Sequence, residues 1–446
     1  MQIHSLKTAV KSLSRTCNSL NTKRRYSIPL AKLGRLDPDL FVAGIAQLAI
    51  QVGSAAFLFL SASGLSAENF GSYQVGRRVF PLIGFPALVG TGLSVPRLVA
   101  MAVGEEQKNR IHILLAAISI VFPILALLAL PIFLFPRQVG QLVFGGSTTP
   151  MLTAGLLVCV VGLCTYTLIY GYLRGLRSLF AASVLAVLSM VVVPFAALIL
   201  CNKDPGLLLL YGGLGWLAVS GACASYLFSG YSRQSLKIDR RIVNEMLVYG
   251  IPRLPGEFAQ FGLSAVPVLI VSHVHGMQDA GFLSFAISVM MLASSMFDFL
   301  NIYLLPQLSA LAAEQRWKDI RRLVKKSILV VIAGTALVGL MGWLLIGYIV
   351  TLLLDPVYYQ AVPYARLLLL GVLPYSLFKT LRTALDAIWR FPYGSLSLII
   401  GLTAISFVMI LFPHVNPAVV MVCGLVMIGA IQVVACGYVF SRRLTA

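Results

Sequence analysis

Runs of about twenty apolar residues return along this chain again and again, separated by short polar punctuation, and few features constrain a fold so tightly. A bilayer core takes about 20 such residues per helix. Windows of that kind lie at approximately 40–60, 73–100, 111–135, 152–173, 179–200, 207–228, 247–271, 281–308, 327–353, 364–388, 393–413 and 417–440. Hydrophobic residues make up 59% of the 446 and charged residues 11%, against roughly 45–50% apolar and about 25% charged in a soluble domain. The spacing therefore predicts an all-α polytopic membrane protein with 12 transmembrane helices. Strands of a membrane barrel would be alternating segments of about ten residues, and none is seen.

The chain also repeats itself. Phe70 to Arg97, FGSYQVGRRVFPLIGFPALVGTGLSVPR, has a near-copy displaced by 210 positions, pairing Gly71 with Gly281, Ser94 with Leu304 and Pro96 with Pro306. Six spans per half give both copies one orientation, the parallel-repeat plan with an axis along the membrane normal, and such halves usually enclose a midplane site. The expected division is a basic amphipathic leader over 1–36, an N-terminal six-helix lobe over 37–230, a linker over 231–246 and a C-terminal six-helix lobe over 247–446, the two lobes surrounding a central cavity. Span two holds Pro81, Pro86 and Pro96, and span seven Pro252, Pro255 and Pro267. Helices broken so often line an interior where freed carbonyls find partners.

A net charge of +19 would suit a nucleic-acid partner, but the position of the charges argues against one. Among the gaps between spans, those on one side carry only Arg137 and Lys203 of the 34 Lys and Arg. This asymmetry is the positive-inside rule, and it places both termini in the cytoplasm. The leader holds eight basic residues and no acid, as expected of a helix lying on the inner leaflet, although its composition also matches an organellar transit peptide. The seven Cys are scattered without a CxxC, so packing is their expected role. His273 and His275 lack further ligands nearby in sequence, and no metal or cofactor is expected. The GxxxG of Gly171 and Gly175 suits packing within a half or between chains equally.

No Walker A sequence, nucleophile elbow, HExxH or dinucleotide fingerprint occurs, which leaves the charges inside spans. Each costs about 2.5–3.5 kcal/mol on insertion scales and is a functional candidate for that reason. They are Arg77, Arg78, Arg97, Arg253, Arg366, Lys379 and Arg382 against Glu257 and Asp298, with Asp386 near a span end. Neighbouring helical residues diverge by about 100°, so at most one of Arg77 and Arg78 points along a given line. One is expected to face a cavity while the other reaches outward, unless both snorkel to headgroups. Arg253 and Glu257 share a helical face, as do Lys379, Arg382 and Asp386, and these sets could merely neutralise one another. The cationic excess nonetheless suits a polyanionic cargo, and guanidinium forks match phosphate oxygens. Arg77, Arg78, Arg253, Arg366, Lys379 and Arg382 are therefore the candidate binding residues for a diphosphate. Glu257 and Asp298 are the candidates for coupling to a proton or sodium ion, Asp298 standing alone in an apolar run.

The segments LSAENFGSYQV after span one, GIPRLPGEF opening span seven and AGFLSFAISV opening span eight, together with the six-plus-six repeat, resemble the polysaccharide transporters of the multidrug/oligosaccharidyl-lipid/polysaccharide exporter superfamily. The resemblance covers about residues 36–440. It implies an O-antigen flippase-like protein of the bacterial inner membrane, moving a polyprenyl-diphosphate-linked oligosaccharide from the inner to the outer leaflet by alternating access for surface polysaccharide biosynthesis. Lipid II flippases of the same superfamily usually carry two further spans, which are not evident here. A cation-coupled multidrug antiporter of that superfamily is the first rival, but it should favour acids in its cavity. A membrane-embedded glycan polymerase is the second, and the longest gap on the presumed outer side, Pro136 to Met151, is small for a catalytic domain. A major-facilitator carrier would lead one to expect DRxGRR where AVGEEQKNR stands after span two. The expected protein is thus a transporter and not an enzyme, with a lipid-linked glycan and the bilayer as partners.

Overall fold

The computed structural model describes residues 38–102, 107–145, 149–228, 239–389 and 391–444. The leader, residues 231–238 of the expected linker and Arg390 lie outside the described residues. Helices account for nearly everything described. The first half contains α1 (Pro38–Gly64), α2 (Ala67–Ala87), α3 (Thr91–Met101), α4 (Gln107–Leu134), α5 (Pro136–Phe144), α6 (Pro150–Gly175), α7 (Leu179–Leu200) and α8 (Pro205–Phe228). The second contains α9 (Arg240–Gly250), α10 (Leu254–Val274), α11 (Met277–Ser295), α12 (Asp298–Ala313), α13 (Trp317–Leu353), α14 (Ala361–Leu370), α15 (Val372–Ile388), α16 (Tyr393–Leu411) and α17 (Pro417–Leu444). Among the described residues, 10 helices are long and apolar enough to cross a membrane, or 12 when each of two bent pairs counts as one span. All twelve predicted windows fall on these elements.

Span two shows how local sequence sets the shape. Ser66 caps α2 by accepting a hydrogen bond from the Asn69 amide at 3.3 Å, and Glu68 adds an acid in the first turn, both favourable at a helix N-terminus. Pro81 and Pro86 then remove amides from the ladder. Val89 (φ 48°) and Gly90 (φ 72°) turn left-handed, and α3 leaves at 51° to α2. Glycine is needed here twice over, because a Cβ on Gly90 would sit 2.3 Å from the Gly250 Cα at the end of α9. Span ten bends similarly, by 41°, between α14 and α15. Span five carries a π turn at Leu188–Val192, just before Pro194, and the Trp216 indole of α8 donates to the bulged Ser189 carbonyl at 2.5 Å.

Span eight is interrupted at Met296 and Phe297, between α11 and α12. Part of the expected linker, from Arg240, is helix: α9 packs on α3 and α4, so the second half begins seated on the first. The halves join chiefly where α2 packs against α10 and α11. The Gly171 and Gly175 pair packs within its own half, against Pro96 and Val99 of α3. Cys159 donates to the Leu209 carbonyl at 2.9 Å, and His275 contacts the Pro413 carbonyl at 3.0 Å.

Candidate functional site

The repeat becomes a physical contact along the crossing of α2 and α11. Residues separated by 210 positions meet there in register: a Cβ on Gly281 would lie 2.8 Å from the Gly71 Cα, Ser284 donates to the Gln74 side chain at 3.3 Å, and Arg78 donates to Ser288 Oγ at 2.6 Å. Positions 71, 74 and 78 lie on one helical stripe, so α2 presents its copy of the repeat to α11's copy about a pseudo-twofold axis. At the end where both helices begin, Tyr358 is buried with its ring edge-on to Phe70 at 5.6 Å and to Phe282 at 5.7 Å. Bare glycine backbones and this aromatic wedge close that end of the seam.

Below the closure lies a cavity of about 550 Å³. Its lining comes mainly from the first half, through α1, α2, α6, α7 and α8, and the second half supplies one wall from α10, α11 and α15. Two lobes around a central cavity are expected from the sequence, and both halves do line it, the first more extensively: Met190 and Pro194, in and beside the π turn of α7, face it together with Phe57, Tyr73, Phe80 and Trp216. Among the described residues that line it there is no Asp or Glu.

Arg77 and Arg78 both line this cavity, but they are engaged differently. Besides Ser288, Arg78 donates from Nε to Ser284 Oγ at 3.1 Å and from Nη2 to the Ser284 carbonyl at 3.1 Å. Its fork is committed across the seam. Arg77, about 100° around the helix, has its guanidinium 5.8 Å from the Phe57 ring centroid, and no hydrogen bond or ion pair to it is found among the described residues. The sequence leaves open which arginine faces the cavity; the structure puts Arg77 in the open pocket and Arg78 in the wall.

The other candidates lie elsewhere. Arg253, in the short 3-10 turn Ile251–Arg253, is exposed and stacks on Tyr249 at 3.6 Å, with Arg97 of α3 also over that ring at 4.5 Å. Arg366 lies over Trp343 of α13 at 5.0 Å and against Gly347, away from the cavity lining. Lys379 pairs with Asp298 at 2.5 Å and reaches the Ser294 carbonyl at 3.3 Å. Asp298, which reads as isolated in the sequence, is thus paired: one ammonium satisfies the carbonyl end of α11 and the carboxylate opening α12, clamping the break in span eight. Arg382 donates to the Gln260 side chain at 2.8 Å and lies 3.7 Å from Asp386. Glu257 sits in the fields of Arg253 and Arg382. Gln260 and Tyr375 line the cavity, and Gln260 thereby joins this cluster to it through the Arg382 hydrogen bond. No group of three or more His, Cys, Asp or Glu suited to a metal occurs among the described residues.

Sequence reasoning did not identify Ser284, Ser288, Gln74 or the aromatic pocket around Arg77. The 210-residue shift does align Arg78 with Ser288, and a parallel repeat crossing on its own axis brings equivalent positions together.

No family model matches the sequence, and no curated protein matches it. Solved structures do. An inward-facing multidrug resistance MATE family transporter of the MOP superfamily superposes with a TM-score of 0.76 at 12% identity, over 90% of this chain and 99% of that one. The outward-facing conformation of a MATE family transporter gives 0.60 at 14% identity, over 92% and 98%. The lipid II flippase MurJ in an inward closed conformation gives 0.67 at 15% identity, over 89% of this chain and 87% of that one. At such identities it is the backbone plan that is shared, and this chain has the fold common to the MATE transporters and MurJ.

Proposed function

We propose that this protein is a flippase that moves a polyprenyl-diphosphate-linked oligosaccharide from the inner to the outer leaflet of a bacterial inner membrane by alternating access, for surface polysaccharide biosynthesis. The observation that carries the proposal is Arg77: a guanidinium without an ionic partner, in a cavity whose described lining contains no carboxylate. A lone cation held inside a membrane protein costs several kcal/mol unless something anionic visits it. A diphosphate answers that need with bidentate oxygens, while Gln47, Gln51 and Ser54 of α1 supply amide and hydroxyl groups suited to a glycan. The far side of α1 exposes Leu48 and Val52, a surface along which the isoprenoid tail would remain in the bilayer as the headgroup crosses.

In this scheme the present conformation, with α2 and α11 closed where they begin, is the state that loads substrate. The higher likeness to the inward-facing MATE structure than to the outward-facing one supports that assignment, as does the positive-inside bias, which sets both termini in the cytoplasm. Release requires the α2–α11 seam to part, so Arg78 has to let go of Ser284 and Ser288. Glu257 is the better remaining candidate for ion coupling, since a proton on Asp298 would have to break the Lys379 pair.

A multidrug antiporter is the second reading, because the fold accommodates it equally. Cationic drugs want a carboxylate in the cavity, and the described lining offers none. Binding of a short-chain polyprenyl diphosphate to detergent-purified protein tests the choice. The flippase reading expects saturable binding that Arg77→Gln weakens about tenfold or more, as for loss of one charge-assisted contact. Tight binding of a lipophilic cation, indifferent to Arg77→Gln, would overturn it.

A further inference from the structure

A second groove, which shares no lining residue with the transport cavity, lies between α13 and α17. Both helices pack on α15 while barely touching each other, which leaves a channel of about 400 Å³ floored by Leu381 of α15. Val324 and Ile328 of α13 form one wall, and Val433, Cys436 and Phe440 of α17 the other. That volume is within the range of about 300–1,000 Å³ typical of small-molecule sites. A Cβ on Gly437 would meet nothing within 4 Å, so the wall is open at that point rather than plugged by a neighbour.

The rim is basic. Arg321 and Lys325 line the groove, one helical turn apart and exposed, and neither forms an ion pair among the described residues. The nearest acids in the chain do not neutralise them: Glu314, just before α13, and Asp319, in its first turn, are both held by Arg316, at 3.3 and 2.8 Å. Among the described residues lining the groove there is no Asp or Glu. Position completes the chemistry. At 37 residues, α13 is about 55 Å long at 1.5 Å per residue, well beyond a hydrocarbon core of about 30 Å. Its charged turns end at Lys326, and the apolar stretch begins immediately afterwards. Arg321 and Lys325 therefore stand at headgroup depth, with apolar walls running from them toward the hydrocarbon.

We propose that this groove is a binding site for one anionic phospholipid, its phosphate headgroup on Arg321 and Lys325 and an acyl chain between α13 and α17 over Leu381. A lipid lodged there fills the gap between two helices that do not pack together, and so ties α13 to the rest of the second half. The site is independent of what the cavity transports. Each basic residue at a membrane surface favours an anionic headgroup by about five-fold, and the pair by roughly 30-fold.

Native mass spectrometry of the full-length protein in detergent tests this, with dioleoyl phosphatidylglycerol, dioleoyl phosphatidylcholine and inorganic phosphate as probes. The expected result is a single retained phosphatidylglycerol adduct, favoured over phosphatidylcholine by roughly 30-fold, not displaced by millimolar phosphate, and lost both in Arg321→Gln/Lys325→Gln and in Gly437→Leu. The two variants act differently, one removing charge from an exposed rim and the other filling space that no neighbour occupies; should the charge variant fail to fold, Gly437→Leu decides alone. Equal retention of phosphatidylcholine, displacement by phosphate, or an adduct unchanged in Gly437→Leu would each overturn the proposal.

Discussion

Replacing Arg78 by Gln should loosen the closed seam between the halves. Three hydrogen bonds from the guanidinium to serine oxygens cross from α2 to α11, at 2.6, 3.1 and 3.1 Å, beside a weaker one to Met291 Sδ at 3.4 Å. At about 1.5–3 kcal/mol for each bond involving a charged group, they set a ceiling of roughly 5–9 kcal/mol. Two effects offset most of it. The guanidinium is desolvated when it forms these bonds, which costs several kcal/mol. Its acceptors also keep other partners, since the Ser284 carbonyl receives the Ser288 hydroxyl at 2.9 Å and Ser284 donates to Gln74 at 3.3 Å. A net loss of about 2 kcal/mol remains, equivalent to roughly 30-fold in an equilibrium constant. Single-molecule FRET between non-canonical amino acids at exposed Glu68 and Gln278 reads the dwell time of the closed end, which should shorten by up to about 30-fold in Arg78→Gln, the remainder of the change falling on the closing rate. Ser288→Ala should shorten it less, and the double variant should show a coupling of at least about 0.5 kcal/mol. Dwell times unchanged in Arg78→Gln, or strictly additive effects, would refute the assignment of Arg78 to the seam.

Other consequences are equally direct. Gly71→Ala places a Cβ 1.9 Å from the Met277 carbonyl oxygen, so the same FRET pair should report a seam that no longer closes; an unchanged closed distance would contradict the crossing. Lys379→Met leaves Asp298 unpaired at the break of span eight and should cost about 1–2 kcal/mol, between the values for exposed and buried pairs, with Lys379→Met/Asp298→Asn recovering part of the lost thermal stability. Trp216→Phe deletes the bond to the bulged Ser189 carbonyl and should lower stability by about 1–2 kcal/mol in a thermal melt. Arg253→Gln, at a stacked surface position outside the cavity, should leave glycan export in a dependent strain far less impaired than Arg77→Gln does.

Much of this arrangement is legible in the residues. Apolar length alone places the twelve spans, and Pro81, Pro86 and Gly90 announce that span two breaks. The shift from Gly71 to Gly281 goes further, because symmetric halves that meet on their axis must bring equivalent residues together. What stays hidden is any feature made by helices distant in sequence with no symmetry between them. Asp298 reads as a solitary acid because Lys379 is 81 positions away and nothing in either segment names the other. The detail of the cavity lining is hidden for the same reason: the π turn in α7 and the tryptophan on α8 that bonds to it meet only once those helices pack. The candidate arginines share one residue type yet divide into a pocket cation (Arg77), a seam anchor (Arg78), groups stacked on aromatic rings (Arg253 and Arg366) and an ion-paired group (Arg382), according to neighbours that composition does not supply.

In the proposed mechanism Arg77 receives an anionic lipid headgroup and passes it across the membrane. Purified protein reconstituted into liposomes with a fluorescent polyprenyl-diphosphate oligosaccharide measures this directly, as the fraction of label that becomes accessible from the opposite leaflet. Protein-dependent flipping that Arg77→Gln abolishes and Arg77→Lys partly retains is the expected result. Liposomes that leave the lipid in place, while the same protein exports a lipophilic cation down an imposed ion gradient, would contradict it.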